Sequence, residues 1–74
     1  MKPLSFLPIS QSGMVTDVVG GKSVWQRLTG MGLVRGATVR IVKNDGCGPL
    51  IVALGEGRLV LGQGIAQKVM VEEV

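Results

Sequence analysis

Residues 23–40, SVWQRLTGMGLVRGATVR, decide the fold, because they join the one convincing helical pattern of the chain to a convincing strand. Ser23 followed three positions later by Gln26 has the spacing of a capping box: the hydroxyl accepts from an orphan amide while the Gln side chain reaches back. That spacing predicts a helix starting at Ser23. Val24, Leu28 and Met31 fall at i, i+4 and i+7, one stripe of a helical period, with Trp25 beside them and Gln26, Arg27 and Thr29 pointing elsewhere. Gly30 and Gly32 close the helix, since glycine reaches the left-handed conformation of a C-terminal cap without a Cβ clash. Arg35-Gly36 is the next turn. Ala37 to Lys43 then alternates as a strand, with Val39 and Ile41 inward and Arg40 outward.

The flanking sequence supplies further strands. Upstream, Met14 to Val19 (MVTDVV) is a short apolar run bounded by Gly20-Gly21, which reads as strand one. Pro3 to Ser12 reads as an extended arm, docking through Leu4, Phe6, Leu7 and Ile9. Downstream, residues 44–49 (NDGCGP) are dense in turn formers and separate off a third strand, Leu50 to Leu54. Gly55-Glu56-Gly57 makes a tight hairpin to a fourth, Arg58 to Gly62, with Leu59 and Leu61 on one face. A single helical turn at Gln63 to Gln67 precedes a fifth strand, Lys68 to Glu72, with Val69 and Val71 inward. The expectation is a mainly β fold: a small SH3-like barrel of about five strands, with a short helix between strands one and two capping one open end. Residues 1–74 form a single domain on this reading, residues 1–12 being the N-terminal arm.

Composition limits what such a barrel can do. A chain of 74 residues buries only about 60% of its unfolded surface, so one small core must suffice. Its single cysteine, Cys47, has no internal partner and points to a reducing, cytoplasmic setting. The opening MKPLSFLPI is broken by Pro3 and Pro8 before it reaches the length of a secretory h-region. Mean hydropathy is +0.44, yet the longest apolar run, Leu50 to Leu54, falls far short of the roughly 20 residues that cross a bilayer. Net charge is +3 and the pI near 9.6, which admits an anionic partner. The eight basic residues are nevertheless scattered singly, the pattern of a solvated surface. Twelve glycines mark many tight turns.

Catalysis is not expected. Histidine is absent, so the usual acid, base and metal ligand are missing, and no Ser or Cys has an activating partner. Asp45 and Cys47 share a loop, but two ligands fall short of a tetrahedral site, so no metal site and no cofactor are expected. The glycines lack the strand-to-helix setting of a phosphate-binding loop.

Arg27-Leu28, Met31-Gly32-Leu33 and then Gly36 before an alternating strand resemble the signature of the ferrous iron transport protein A family, FeoA. Gly48-Pro49-Leu50 looks like that family's element before strand three, and Arg58 to Leu61 like its following strand. The resemblance runs from about Gly13 to the C-terminus and departs from the pattern at Trp25, Gly30, Gly48 and Gly62. It implies a small cytoplasmic protein of SH3-like fold that assists FeoB, a membrane transporter with a GTP-binding domain, in ferrous iron uptake by protein contact. FeoA-like domains also end metal-dependent transcriptional repressors, so a stand-alone relative of those is an alternative.

For the partner surface the sequence nominates Trp25, Arg27, Met31, Leu33 and Arg35: tryptophan supplies large contact area, and arginine pairs bidentately with carboxylates. Trp25 covering the barrel end, and Met31 completing the helical stripe, are the competing structural roles. Outward Val42, Val60 and Met70 offer a second patch on which a weak homo-oligomer is conceivable. Nucleic acid is the runner-up partner from another class and is not expected, because Phe6 and Trp25 are the only aromatic platforms on which bases stack.

Overall fold

The computed structural model describes every residue from Met1 to Val74. In chain order the elements are β1 (Lys2–Pro3), a 3-10 turn (Leu4–Phe6), β2 (Ser12–Val18), α1 (Lys22–Gly30), β3 (Thr38–Lys43), β4 (Leu50–Leu54), β5 (Gly57–Leu61), α2 (Gln63–Ala66) and β6 (Val69–Glu73). The strands form one antiparallel sheet in the order β1-β6-β2-β3-β4-β5, coiled around a core of 14 buried apolar side chains. This is the expected SH3-like barrel with α1 between its first two long strands. Its sixth strand, the two-residue β1, is the addition to the five read from sequence.

From β3 onward, each strand lies within one residue of its expected span. The reason is alternation: Val39 and Ile41, Leu50 and Val52, and Val69 and Val71 are all buried while their neighbours are not. β2 breaks that rule. Its register against β6 shifts between Val15 and Asp17, the mark of a β-bulge, and the Thr16 hydroxyl donates to the Met70 carbonyl at 3.2 Å. The buried positions on β2 are therefore Gly13, Val15 and Val18, two apart before the bulge and three apart across it. Strict alternation would turn Asp17 into the core; the bulge turns it to the surface.

Two local expectations are corrected. The capping box does not form: Gly21 is the N-cap, the Trp25 amide donates to the Gly21 carbonyl at 3.2 Å, and no side chain caps the helix. Ser23 is already inside the first turn and exposed, so its hydroxyl cannot take the cap position. The arm is also more than a docked strap. Leu4 and Leu7 are fully buried in the core, whereas Phe6 and Ile9 are 71% and 56% exposed. The 3-10 turn explains the split, because residues three apart eclipse one another and leave Phe6 pointing away.

Asn44 locks the arm in place, its amide nitrogen donating to the carbonyls of Ser5 at 3.0 Å and Leu7 at 2.9 Å. β2 passes so close beneath that a Cβ on Gly13 would meet Leu7 Cδ1 at 2.9 Å and Val71 at 3.1 Å. Only glycine fits there without displacing core atoms.

Candidate partner-binding face

The end of α1 positions the site. The Gly32 amide donates to the Thr29 carbonyl at 3.0 Å and the Leu33 amide to the Leu28 carbonyl at 2.9 Å, which together make a Schellman cap with Gly32 at φ 91°. Leu33 then packs back with Leu28, and both are fully buried. The Ala37 amide donates to the Val34 carbonyl at 3.0 Å, closing a turn whose central residues are Arg35 and Gly36. Two further bonds of 2.8 Å, Gly36 amide to Val15 carbonyl and Val15 amide to Ala37 carbonyl, fasten the turn to β2.

Arg35 therefore projects from a rigid base. Its guanidinium carbon lies 5.0 Å from the centroid of the Trp25 ring, within cation–π range. Arg35 Nη2 also donates to Asp17 Oδ1 at 3.3 Å. The same Asp17 oxygen accepts the Val18 amide at 2.8 Å. That backbone bond first, and the Arg35 hydrogen bond second, hold the Asp17 carboxyl below its ordinary value of 3.8. Both charged side chains are substantially exposed, so water weakens the pair; geometry rather than stability is its main consequence.

The structure sorts the five nominated residues. Trp25 is half-buried against the core and shows one ring face to Arg35, so it covers the barrel end and also frames the surface. Met31 is likewise half-buried on the core. Arg27 is exposed and enters no ion pair. Leu33 leaves the candidate surface: it is fully buried, so it can support a contact but not make one. Of the second patch, Val60 is 64% exposed while Val42 and Met70 are partly covered.

Asp17, which pairs with Arg35 on this face, is not among the residues nominated from sequence. The available signal was an acid at an inward position of an apolar strand, which a small barrel tolerates only if a bulge turns it out. Val34, 41% exposed beside Arg35, was missed as well. No pocket opens in the surface, and no three Asp, Glu or Cys side chains gather as a metal-holding group. Cys47 and Asp45 both lie exposed on the loop after β3. No helix is long and apolar enough to cross a membrane.

Fold and face together define a small SH3-like domain. The FeoA domain matches residues 2–73, and the chain belongs to the FeoA family, a family linked to ferrous iron transport. It is 32% identical over 73 residues to a Methanocaldococcus jannaschii protein named "Putative Fe(2+) transport protein A", covering 99% of this chain and 88% of that one. Among solved structures, an iron uptake regulatory protein (FeoA) superposes with a TM-score of 0.91 at 36% identity, covering 97% of this chain and 96% of the other. The zinc complex of FeoA from Stenotrophomonas maltophilia follows at 0.78 and 34%, covering 97% and 91%. That protein is described as an SH3 domain protein and suggested as a ferrous iron transport activating factor. A manganese-dependent transcriptional repressor shares the fold alone, with a TM-score of 0.86 at 17% identity over 41% of its length.

Proposed function

We propose that this protein is a cytoplasmic accessory protein that binds a FeoB-like ferrous iron transporter, at or near its GTP-binding domain, and supports iron uptake by contact rather than catalysis. The observation that carries the reading is the Trp25–Arg35 face. A rigid aromatic ring already carries a guanidinium, with Met31 and Val34 supplying apolar surface and Arg27 exposed and unpaired elsewhere on the same helix. Pre-ordered aromatic and arginine side chains lose little entropy on binding and are the commonest interface hot spots. Membership in a family linked to iron transport supports the choice of partner.

Calorimetric titration of the protein with the transporter's GTP-binding domain tests this. Arg27→Glu is expected to weaken binding by roughly tenfold or more with only a small drop in the thermal melt, because Arg27 enters no hydrogen bond or ion pair and supports its fold only as the basic residue of the last turn of α1. Trp25→Ala is expected to weaken it further. Unchanged affinity in both variants would overturn the assignment of this face, and no binding of the parent protein would overturn the choice of partner.

A further inference from the structure

The two ends of the sheet differ in how their edges are finished. β1 is two residues long; Lys2 is ion-paired with Glu73, and Pro3 has no amide to offer. β5 is five residues long, and no backbone group between Gly57 and Leu61 bonds outside the β4–β5 ladder. The hairpin closing it has Leu54 opposite Gly57, with positive φ (60°) at Gly55 and not at Glu56, the type II′ pattern. In an antiparallel ladder closed this way the flanking pair bonds to each other. Alternation then turns the amides and carbonyls of Arg58 and Val60 away from β4.

The outer face beside this edge is basic. Arg40 pairs in register with Ala53, and Ala53 with Arg58, so two arginines flank a small residue about 10 Å apart. The next row is Lys43, Ile51 and Val60; a bulge between Ile41 and Lys43 turns Lys43 outward, where alternation would have pointed it inward. Arg40, Lys43 and Arg58 are all exposed and enter no ion pair, the two ion pairs of the chain lying elsewhere.

We infer that the free edge of β5 is a docking site for an extended, acidic segment of a partner protein, which adds to the sheet as a further strand. Main-chain bonds to Arg58 and Val60 hold the segment, and its outward side chains fall beside theirs: a carboxylate by Arg58 and, two residues on, an apolar side chain by Val60. A second copy of this chain is the poorer occupant, because it would bring its own Arg58 to a face that already carries three unpaired cations. Nucleic acid is poorer too, since neither aromatic residue lies on β3 to β5. This edge is a different surface from the Trp25 face, and the inference does not depend on the transporter being the partner there.

The test is an amide-shift titration of the labelled full chain with a short synthetic peptide of Glu-Thr-Val-Thr repeats, which puts Glu and Val two residues apart on one face, and with a control peptide carrying Lys for Glu. Saturable shifts centred on Arg58 and Val60, with slowed exchange of both amides, are expected for the acidic peptide alone. Arg58→Glu should lower its affinity roughly tenfold. Val60→Pro, which removes an outward amide and no ladder bond, should abolish the slowed exchange at Arg58. Equal binding of the Lys peptide, or no response at millimolar acidic peptide, would overturn the inference. So would concentration-dependent shifts on β5 without peptide, or stronger shifts there with a single-stranded oligonucleotide.

Discussion

The Trp25–Arg35 face and the β5 edge show two ways in which one small barrel presents arginine. At the face, Arg35 is committed inside its own chain, stacked on Trp25 and bonded to Asp17, while the turn beneath it is tied to β2. At the edge, Arg58 has neither an ion-pair partner nor a strand beside its outward-facing amide and carbonyl. The difference lies in the core below. The face rests on Leu28 and Leu33, fully buried, whereas the edge strand contributes to the core chiefly through Leu61 and leaves Val60 in water. A face coupled to the core should respond to mutations beneath it; an edge should respond only to what binds it.

The largest test of that contrast is Leu33→Ala. Removing a fully buried leucine behind the face should cost about 2–5 kcal/mol, much of the stability of so small a domain, measurable as a lowered urea midpoint. A loss below about 1 kcal/mol would mean the turn is not supported from within. Gly32→Ala comes next. Its φ of 91° strains any side chain and a Cβ would lie 3.1 Å from Leu54, so a loss of about 1–2 kcal/mol is expected, with amide shifts spreading to Arg35.

Asp17→Asn probes the pairing at the face through pH. The folded-state carboxyl is held below its ordinary value, so its contribution to stability is present above the unfolded value and is lost as pH falls through the folded one. The variant should therefore be less stable than the parent at neutral pH, and the gap should close in acid once the parent's carboxyl is protonated. Denaturant midpoints taken down the acid range check this; a gap that persists in acid would assign the effect to shape instead of charge. The smallest effect belongs to the edge: Arg58→Ala should change the melting free energy by no more than about 0.5 kcal/mol.

How much of this was legible in the sequence follows from the same contrast. The strands from Thr38 onward could be read because Val39, Ile41, Val52, Val69 and Val71 alternate without interruption. The stripe of α1 could be read from Val24, Leu28 and Met31, which all meet the core. The bulges at Thr16 and near Val42 could not, since a bulge changes which residues face outward without changing composition, and they decide where Asp17 and Lys43 point. Leu33 was misplaced on the surface for a local reason: a residue just after a Schellman glycine packs back on the helix, and the pair Leu28 and Leu33 carried that signal. The capping box failed because Gly21 took the cap two positions earlier.

The most direct test of the central claim, that the Trp25 face is the partner surface, is an amide-shift titration of the labelled protein with the FeoB GTP-binding domain. Saturable shifts concentrated between Trp25 and Arg35 are expected, extending to Asp17 through the Arg35 contact, and reduced in Arg27→Glu. Saturable binding that leaves those amides unmoved would contradict it, and shifts confined to Gly57–Leu61 would move the partner to the edge of β5.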